Sequence, residues 1–349
     1  MSKKALIAMS GGVDSGVAAY LIKQQGYDCL GCTMLLHQNR DAACSTTDDV
    51  ADAKAVADRL QIPHHTYDFS ADFRDKVINN FVRCYELGLT PNPCIECNRH
   101  LKFARLFEQG QALGCDYIVT GHYARITRHA DRFVLQKAVD ESKDQTYVLY
   151  SLTQEQLAHT LLPLGALSKA EVRDLAARQG FINAHKAESQ DICFVPDGKY
   201  AEFIEHYTGK TYPTGDFVDS QGRKLGQHQG IIRYTVGQRR GLGLAMGQPV
   251  YVAAINPADN TVTVGPDEEL YCSHLTAHCI NLMAVEKISR PLRLQAKIRY
   301  NQKAQWATVQ QTADDELLVE FDQPQRAIAR GQAVVLYDGD IVVGGGRID

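Results

Sequence analysis

The chain has 349 residues, 44% of them apolar, which is enough for two or three folded cores and excludes a disordered or fibrous chain. A net charge of −4 argues against indiscriminate nucleic-acid binding, and ten cysteines in a chain this long read as reduced core residues, ligands or catalysts rather than a disulfide framework. No apolar run is long enough to span a bilayer, and Met1-Ser2-Lys3-Lys4 leads straight into a strand without a secretory signal, so a cytoplasmic protein away from membranes is expected.

Lys4 to Met9 reads as a short buried strand, and Val17, Ala18, Leu21 and Ile22 recur at the spacing of one helical face. Ser10-Gly11-Gly12-Val13-Asp14-Ser15 therefore occupies a strand-to-helix turn. There glycines allow a ligand close to the backbone, and the free N–H groups of the first helical turn attract phosphate. Asp28 to Leu36 is expected as a second strand, Asp48 to Leu60 as a helix, and His64 to Phe69 as a third strand. A helix over Asp72 to Leu87, a proline-broken loop at Thr90 to Cys94, a helix from Asn98 to Leu113 and a strand at Asp116 to Thr120 follow. This alternation implies a parallel sheet covered by helices, with ligands beyond the carboxyl ends of its strands. Ser168 and Glu171 have capping-box spacing at the head of a helix, and Tyr200 to Tyr207 reads as another.

From Pro213 onward glycine turns separate short segments, among them Pro249 to Ile255 and Thr261 to Val264. Strand-like runs at Leu292 to Tyr300, Gln305 to Gln311, Leu317 to Phe321 and Ala333 to Tyr337 point to a small sheet or barrel. Boundaries near residues 205 and 270 divide the chain into 1–205, 206–270 and 271–349. Two stretches lack acidic residues. One, between Asp219 and Asp259, holds Arg223, Lys224, Arg233, Arg239 and Arg240; the other, between Glu286 and Asp314, holds Lys287, Arg290, Arg293, Lys297, Arg299 and Lys303. They suggest positive surface along which a phosphate backbone could run. Trp306 is expected to fill the C-terminal core.

The opening turn fits neither a Walker loop nor a dinucleotide fingerprint, because its glycines are adjacent, and Gly209-Lys210-Thr211 has Ile204 where a Walker loop needs glycine. It resembles the SGGxDS loop of the ATP pyrophosphatase families, which bind the β,γ-pyrophosphate and split ATP into AMP and pyrophosphate. Ser10 and Ser15 offer hydroxyls, Gly11 and Gly12 backbone N–H groups, and Asp14 suits Mg²⁺ or the helix N-terminus. Cys94 and Cys97, in Thr90-Pro91-Asn92-Pro93-Cys94-Ile95-Glu96-Cys97, sit just before a helix whose dipole lowers thiol pKa, an effect that Arg99 and Lys102 are expected to strengthen. A further cysteine lies in Ser189-Gln190-Asp191-Ile192-Cys193-Phe194.

Taken in order, AMSGGVDS, TPNPCIECNRHLKF, VTGHYARI, KDQTYVLY, ESQDICFV and YTVGQRRGLG resemble the bacterial tRNA-specific 2-thiouridylase family over essentially the whole chain. The resemblance implies an α/β parallel-sheet ATP pyrophosphatase domain, a small central tRNA-binding domain and a C-terminal β-barrel domain. It implies adenylation of the wobble uridine of Lys, Glu and Gln tRNAs and sulfur transfer from a persulfide on Cys193, with Cys97 as partner thiol able to close a transient disulfide with Cys193. ATP contacts are implied at Ala8, Met9, Ser10, Gly11, Gly12, Val13, Asp14, Ser15, Met34 and Gly121. Asn92, Pro93 and Cys94 are implied to face the target base, and His122, Lys143, Asp144, Gln145, Arg299, Tyr300 and Gln332 to contact tRNA. Partners implied are tRNA and a sulfur donor, a cysteine desulfurase or a carrier protein.

One departure bears on mechanism: many members carry aspartate, a candidate acid/base, where this chain has Cys94. Cys94, Cys97 and Cys193 would also supply three thiolates to an iron–sulfur cluster that holds the donated sulfide, and that alternative stays open at this point. Cys29 and Cys32 share the two-residue spacing but lie in an apolar strand, as core residues rather than zinc ligands, and no metal site is assigned. Cys44, in a polar loop, is a candidate reactive thiol. A ligase adenylating a small molecule, or an RNA-binding protein with a vestigial loop, are the competing functions.

Overall fold

The structure is a computed structural model that describes residues 2–37, 47–184, 186, 192–195 and 198–349. Cys44 and the Ser189-Gln190-Asp191 part of the SQDICF motif lie outside the described residues. The expected alternation opens the chain, with β1 (Lys4–Ala8), α1 (Val13–Gln24), β2 (Asp28–Leu35), α2 (Thr47–Arg59) and β3 (His64–Asp68). Next come α3 (Ser70–Phe73), α4 (Asn79–Glu86), α5 (Pro93–Cys97), α6 (Leu106–Ala112) and β4 (Tyr117–Val119). The hairpin β5 (Ala124–His129) and β6 (Arg132–Lys137) precedes α7 (Thr146–Leu149), α8 (Gln154–Ala158), β7 (Thr160–Leu161) and α9 (Lys169–Arg178), which begins on the Ser168–Glu171 capping box.

The first sheet is parallel, in the order β3-β2-β1-β4-β7. Ala5, Leu6 and Ile7 of β1 are fully buried, as a parallel strand covered on both faces requires. One face packs on Val17, Ile22, Val56, Val172 and Phe181, the other on Phe73, Phe81, Leu101, Leu106 and Phe194. Strand order reverses between β1 and β4, so their carboxyl ends flank the crevice where such sheets bind ligands.

Two expected helices prove composite, through π-helical segments at Arg74–Ile78 and Asn98–Arg105. Cys94 and Cys97 were expected in a loop ahead of a helix, yet both lie inside α5. The helix starts earlier because the Asn92 side chain accepts the Cys94 N–H at 3.1 Å and Pro93, with φ preset, takes the first position.

After α10 (Tyr200–Thr208) a small sheet forms from β8 (Gly215–Val218), β9 (Lys224–His228), β10 (Tyr251–Asn256) and β11 (Thr261–Gly265) around Phe217, Tyr234, Val252 and Val262. The rest of the chain supplies β12 (Tyr271–Leu282), β13 (Leu292–Lys297), β14 (Gln305–Ala313), β15 (Glu316–Arg326), β16 (Ala333–Asp338) and β17 (Ile341–Ile348). These pair in the order β12-β15-β14-β13-β16-β17, and β17 returns to β12, closing an antiparallel barrel. The β5–β6 hairpin joins this sheet through Gln136 and Ile341, so the first and last parts of the chain share one set of strands.

Trp306 is not in the core. Strand alternation turns Ala307 and Val309 inward and leaves Trp306 48% exposed on the outer face, with the Arg293 guanidinium 5.3 Å from its ring centre. The acid-free stretches are likewise not acid-free in space, for Arg223 pairs with Asp219, Lys224 with Asp216, Arg233 with Glu205 and Arg293 with Asp322. Arg239, Arg240, Lys287 and Arg290 remain exposed.

Candidate active site

Three strand ends build one half of the site: Ala8 closes β1, Met34 lies at the end of β2, and Gly121 follows β4. Gly11 has φ +75°, which glycine adopts freely, and a Cβ there would stand 2.3 Å from the Asp49 carbonyl oxygen. Ser15 is buried and braces the loop, its hydroxyl donating to Gly12 O at 3.0 Å and accepting from Ser10 N–H at 3.1 Å. Its hydroxyl is thus committed to the loop, whereas Ser10 is exposed. Met9 and Val13 are buried supports. At Gly12 the N-terminus of α1 has no side-chain cap, and a Cβ on Gly12 would meet only Ser10 Oγ, at 3.4 Å. Uncapped helical N–H groups beside open space are the donor set a phosphate fits.

Asp14, in the first turn of α1, accepts from Lys169 Nζ at 2.8 Å on both carboxylate oxygens and from the Tyr123 hydroxyl at 2.7 Å. Asn183 donates to Gly11 O at 2.9 Å, and Lys186 pairs with Asp49 and Asp52 at 2.8 and 2.7 Å, tying the segment ahead of Cys193 to the loop and to α2. Lys169, Tyr123 and Asn183 escaped the sequence reading. The available signal was Lys169 itself, a cation at the first position of a helix, where the dipole disfavours it.

The thiols form the other half. Cys97 is buried in the apolar cluster that also includes Phe194, and against which Cys193, Ala8 and Met34 pack. Burial pushes the thiols of Cys94 and Cys97 above the usual cysteine value, with the Lys102 ammonium opposing it, so desolvation outweighs the expected acidification. Arg99 contributes none of that acidification; it turns to Glu96 at 3.7 Å. Cys94 is solvent-accessible, and desolvation is nonetheless the largest influence on its acidity. Cys97 is a free thiol and Cys193 is disulfide-bonded to a cysteine other than Cys97, so the Cys97–Cys193 link is not formed here.

Lys102 also faces His122, which is buried, shares a 2.7 Å hydrogen bond with Thr120 through Nδ1, and is held well below the usual histidine pKa chiefly by burial. It is therefore neutral at physiological pH. Because Lys102 alone lowers the Cys94 pKa against burial, Lys102→Met should shift the pH profile of Cys94 alkylation upward and slow labelling at pH 8 by about 3- to 10-fold. Peptide mass spectrometry after iodoacetamide treatment reads this directly, and an unshifted profile would remove Lys102 from the thiol environment.

Family models match the chain in three consecutive blocks: a tRNA methyl transferase HUP domain over residues 3–197, a tRNA methyl transferase PRC-barrel domain over 201–266 and an aminomethyltransferase beta-barrel domain over 272–348. A curated relative from Clostridioides difficile strain 630, "tRNA-specific 2-thiouridylase MnmA", is 48% identical across 100% of this chain and 99% of its own. The chain belongs to the tRNA-specific 2-thiouridylase family. A second member, from Lachnoclostridium phytofermentans, is 49% identical over 99% of each chain. Among solved structures, a 4-thiouridine synthetase–RNA complex with bound ATP shares 14% identity over 58% of this chain and 50% of that one, with a TM-score of 0.38.

The positions for which the 2-thiouridylase family resemblance implies RNA contact divide into two groups. Tyr300 is exposed, donates to Asp144 O at 3.3 Å, carries Lys297 over its ring at 5.6 Å and is electrostatically coupled to Cys94. Gln332 donates to Pro91 O at 3.4 Å and Thr90 N–H to Arg330 O at 2.8 Å, so the Asn92–Cys94 segment is seated against the barrel. Tyr300, Gln332, Asn92, Pro93 and Cys94 are thereby gathered at one rim. The others are committed inside the fold: Asp144 accepts from Ala138 N–H and Thr146 Oγ1, and Gln145 accepts the Tyr123 N–H at 2.9 Å. Arg299 donates to Val236 O at 3.1 Å and Ala327 O at 2.7 Å, joining the YTVGQRRGLG loop to the barrel. Lys143 is half-buried beside them.

Proposed function

We propose that this protein is a tRNA-uridine 2-sulfurtransferase that uses ATP to adenylate O2 of the wobble uridine and replaces that oxygen with sulfur, yielding 2-thiouridine, AMP and pyrophosphate. The observation that supports this reading is the Gly11–Ser15 loop at the strand ends together with two thiols on one sheet face, Cys97 buried in its apolar cluster and Cys193 packed against that same cluster. A small-molecule ligase needs the loop but neither thiol. The full-length relatives bear the thiouridylase name.

The uracil C2 carbonyl resists substitution because its oxygen leaves poorly. Attack of O2 on the α-phosphorus expels pyrophosphate and turns that oxygen into part of AMP, a good leaving group. The terminal sulfur of a Cys193 persulfide then attacks C2, and AMP departs with the oxygen. Cys97, as thiolate, attacks the Cys193 sulfur; the S–S bond of the persulfide breaks toward the base, and a Cys97–Cys193 disulfide remains for a thiol reductant to open. Cys193 must be released from its present disulfide before it can carry sulfur. Asp14 does not offer Mg²⁺ a ready ligand in this conformation, because both its carboxylate oxygens accept from Lys169 Nζ and one also from the Tyr123 hydroxyl, and no step is derived through the metal.

With Cys193 disulfide-bonded, Cys94, Cys97 and Cys193 do not make a three-thiolate set in this conformation, and no group of three or more metal-binding side chains occurs among the described residues. No step is routed through an iron–sulfur cluster. Cys94 takes the position of the family's acid/base carboxylate as a thiol that burial keeps protonated, so it does not replace that carboxylate as a base. The tRNA is held by the rim at Tyr300 and Gln332 and by residues 206–349, the sulfur arrives from a desulfurase or carrier protein, and the setting is the cytoplasm. No helix among the described residues is long and apolar enough to cross a membrane.

Radiolabelled ATP should give AMP and pyrophosphate only when unmodified tRNA and a sulfur donor are both present, with one AMP released per 2-thiouridine formed. Sulfur incorporation at full rate without nucleotide, or cleavage to ADP, would overturn the proposal.

A further inference from the structure

A cleft runs along the seam where α4 and α5 meet the barrel, with Asn80 and Cys84 of α4, Asn92 and Arg99 at the two ends of α5, and Gly331 and Arg347 of the barrel in its walls. Four arginines stand around it. Arg83 precedes Cys84, Arg99 and Arg347 line the cleft, and Arg330 adjoins Gly331, its carbonyl accepting the Thr90 N–H at 2.8 Å. Burial raises the Cys84 thiol pKa while Arg347 and Arg83 both oppose that rise, and Arg99 and Arg347 both act on Glu96, so these charges bear on one strip. None of the four belongs to either acid-free stretch.

Their counter-charge inside the fold is a single carboxylate. Glu96 is half-buried and already shared between Arg99 at 3.7 Å and His100 at 3.2 Å. Glu86, one helical turn on from Arg83, is taken by Lys210 and Tyr212, and Asp349, two residues after Arg347, by His278. Arg83, Arg330 and Arg347 are exposed and make no ion pair among the described residues. Positive charge gathered without a structural return is expected where a polyanion supplies the return.

Position decides which polyanion. The cleft's Asn92 begins the segment implied to face the target base, and its Gly331 adjoins Gln332, which donates to Pro91 O at 3.4 Å. RNA whose wobble base lies against Asn92–Cys94 carries its adjoining phosphates past this seam, and a guanidinium offers a phosphate two parallel donors. A sulfur-donating protein has instead to reach Cys193, and neither Cys193 nor Cys97 lines the cleft. We infer that Arg83, Arg99, Arg330 and Arg347 form a docking strip for the tRNA phosphate backbone beside the wobble nucleotide. This rests on the tRNA reading above.

Filter binding of unmodified tRNA to the full chain, between about 50 and 200 mM salt, tests this. Arg83→Gln, Arg330→Gln and Arg347→Gln should each weaken binding by about 3- to 10-fold and flatten the slope of log affinity against log salt by about 0.7–1, because each lost contact leaves counterions on a phosphate. Arg347→Lys should keep the slope. Arg128→Gln, on the exposed end of β5, should change affinity by less than about 2-fold. Unchanged slopes in the three glutamine variants, or an equal loss from Arg128→Gln, overturn the strip. So does normal tRNA binding with thiolation slowed only when a donor protein rather than inorganic sulfide delivers sulfur, which would make the cleft a protein-docking surface. If the unaltered protein binds no tRNA, the tRNA reading falls with the strip; if it binds and thiolates tRNA while the variants keep its slope, the strip alone falls. Thermal unfolding checks each variant, and since the three arginines lie on separate elements, misfolding of one leaves the other two to decide.

Discussion

Cys193→Ser should abolish sulfur transfer, lowering 2-thiouridine formation by at least about 1,000-fold, because serine cannot carry a persulfide and no other group in the site replaces it. The substitution is small, and Cys193 is only partly buried at the edge of an apolar cluster dominated by Phe73, Phe81, Phe194 and Phe203, so the fold should survive. Binding of tRNA, which depends on the rim at Tyr300 and Gln332, should stay within about 2-fold, since conservative changes away from an interface rarely exceed that. Nucleoside mass spectrometry of the product tRNA measures the first quantity and filter binding the second. A variant that still thiolates with a physiological donor would move the sulfur to another residue, and Cys94, which is solvent-accessible, would be the first to examine. Because Cys193 is disulfide-bonded in the structure, the unaltered enzyme should also require prior thiol reduction, a dependence the serine variant cannot show.

The parts of this molecule that sequence made legible are those whose physics is local. The loop from Ser10 to Ser15 was readable because a buried strand precedes it and an amphipathic helix follows it, and the Ser168–Glu171 box formed as its spacing implied. The β5–β6 hairpin was not readable, because its partner β17 comes some two hundred residues later and its first strand carries Arg125, Arg128 and His129 on a largely exposed ribbon. Distance in sequence hid the chemistry in the same way. Lys169 reaches Asp14, and Asn183 reaches Gly11, only after α9 has packed on α1. The acid-free stretches misled for the complementary reason, since ion pairs such as Arg233–Glu205 and Arg293–Asp322 are made across the fold. Thiol acidity depended on a balance no spacing encodes, with burial of α5 prevailing over Lys102.

Gly121→Ala should cost the protein its nucleotide site. A Cβ at this position would lie 2.9 Å from both the Asp14 carbonyl carbon and the Ser15 nitrogen, which are backbone atoms of the first turn of α1 and cannot rotate away. Relief requires the end of β4 and the loop to separate, against the Ser15 bracing and the Tyr123–Asp14 hydrogen bond two residues further on. That separation would draw the loop N–H groups off a bound phosphate, so ATP affinity should fall by at least about 10-fold, with stability lowered by about 1–3 kcal/mol from overpacking. Gly12→Ala provides the contrast. Its Cβ would approach only Ser10 Oγ, at 3.4 Å, so the fold should tolerate it, whereas a phosphate seated on the uncapped N-terminus of α1 would not. Calorimetry with ATP and thermal unfolding separate the cases: Gly121→Ala loses affinity and stability together, Gly12→Ala loses affinity alone. Should Gly12→Ala bind ATP normally, phosphate does not rest on this helix end, and the nucleotide must enter by another face of the crevice between β1 and β4.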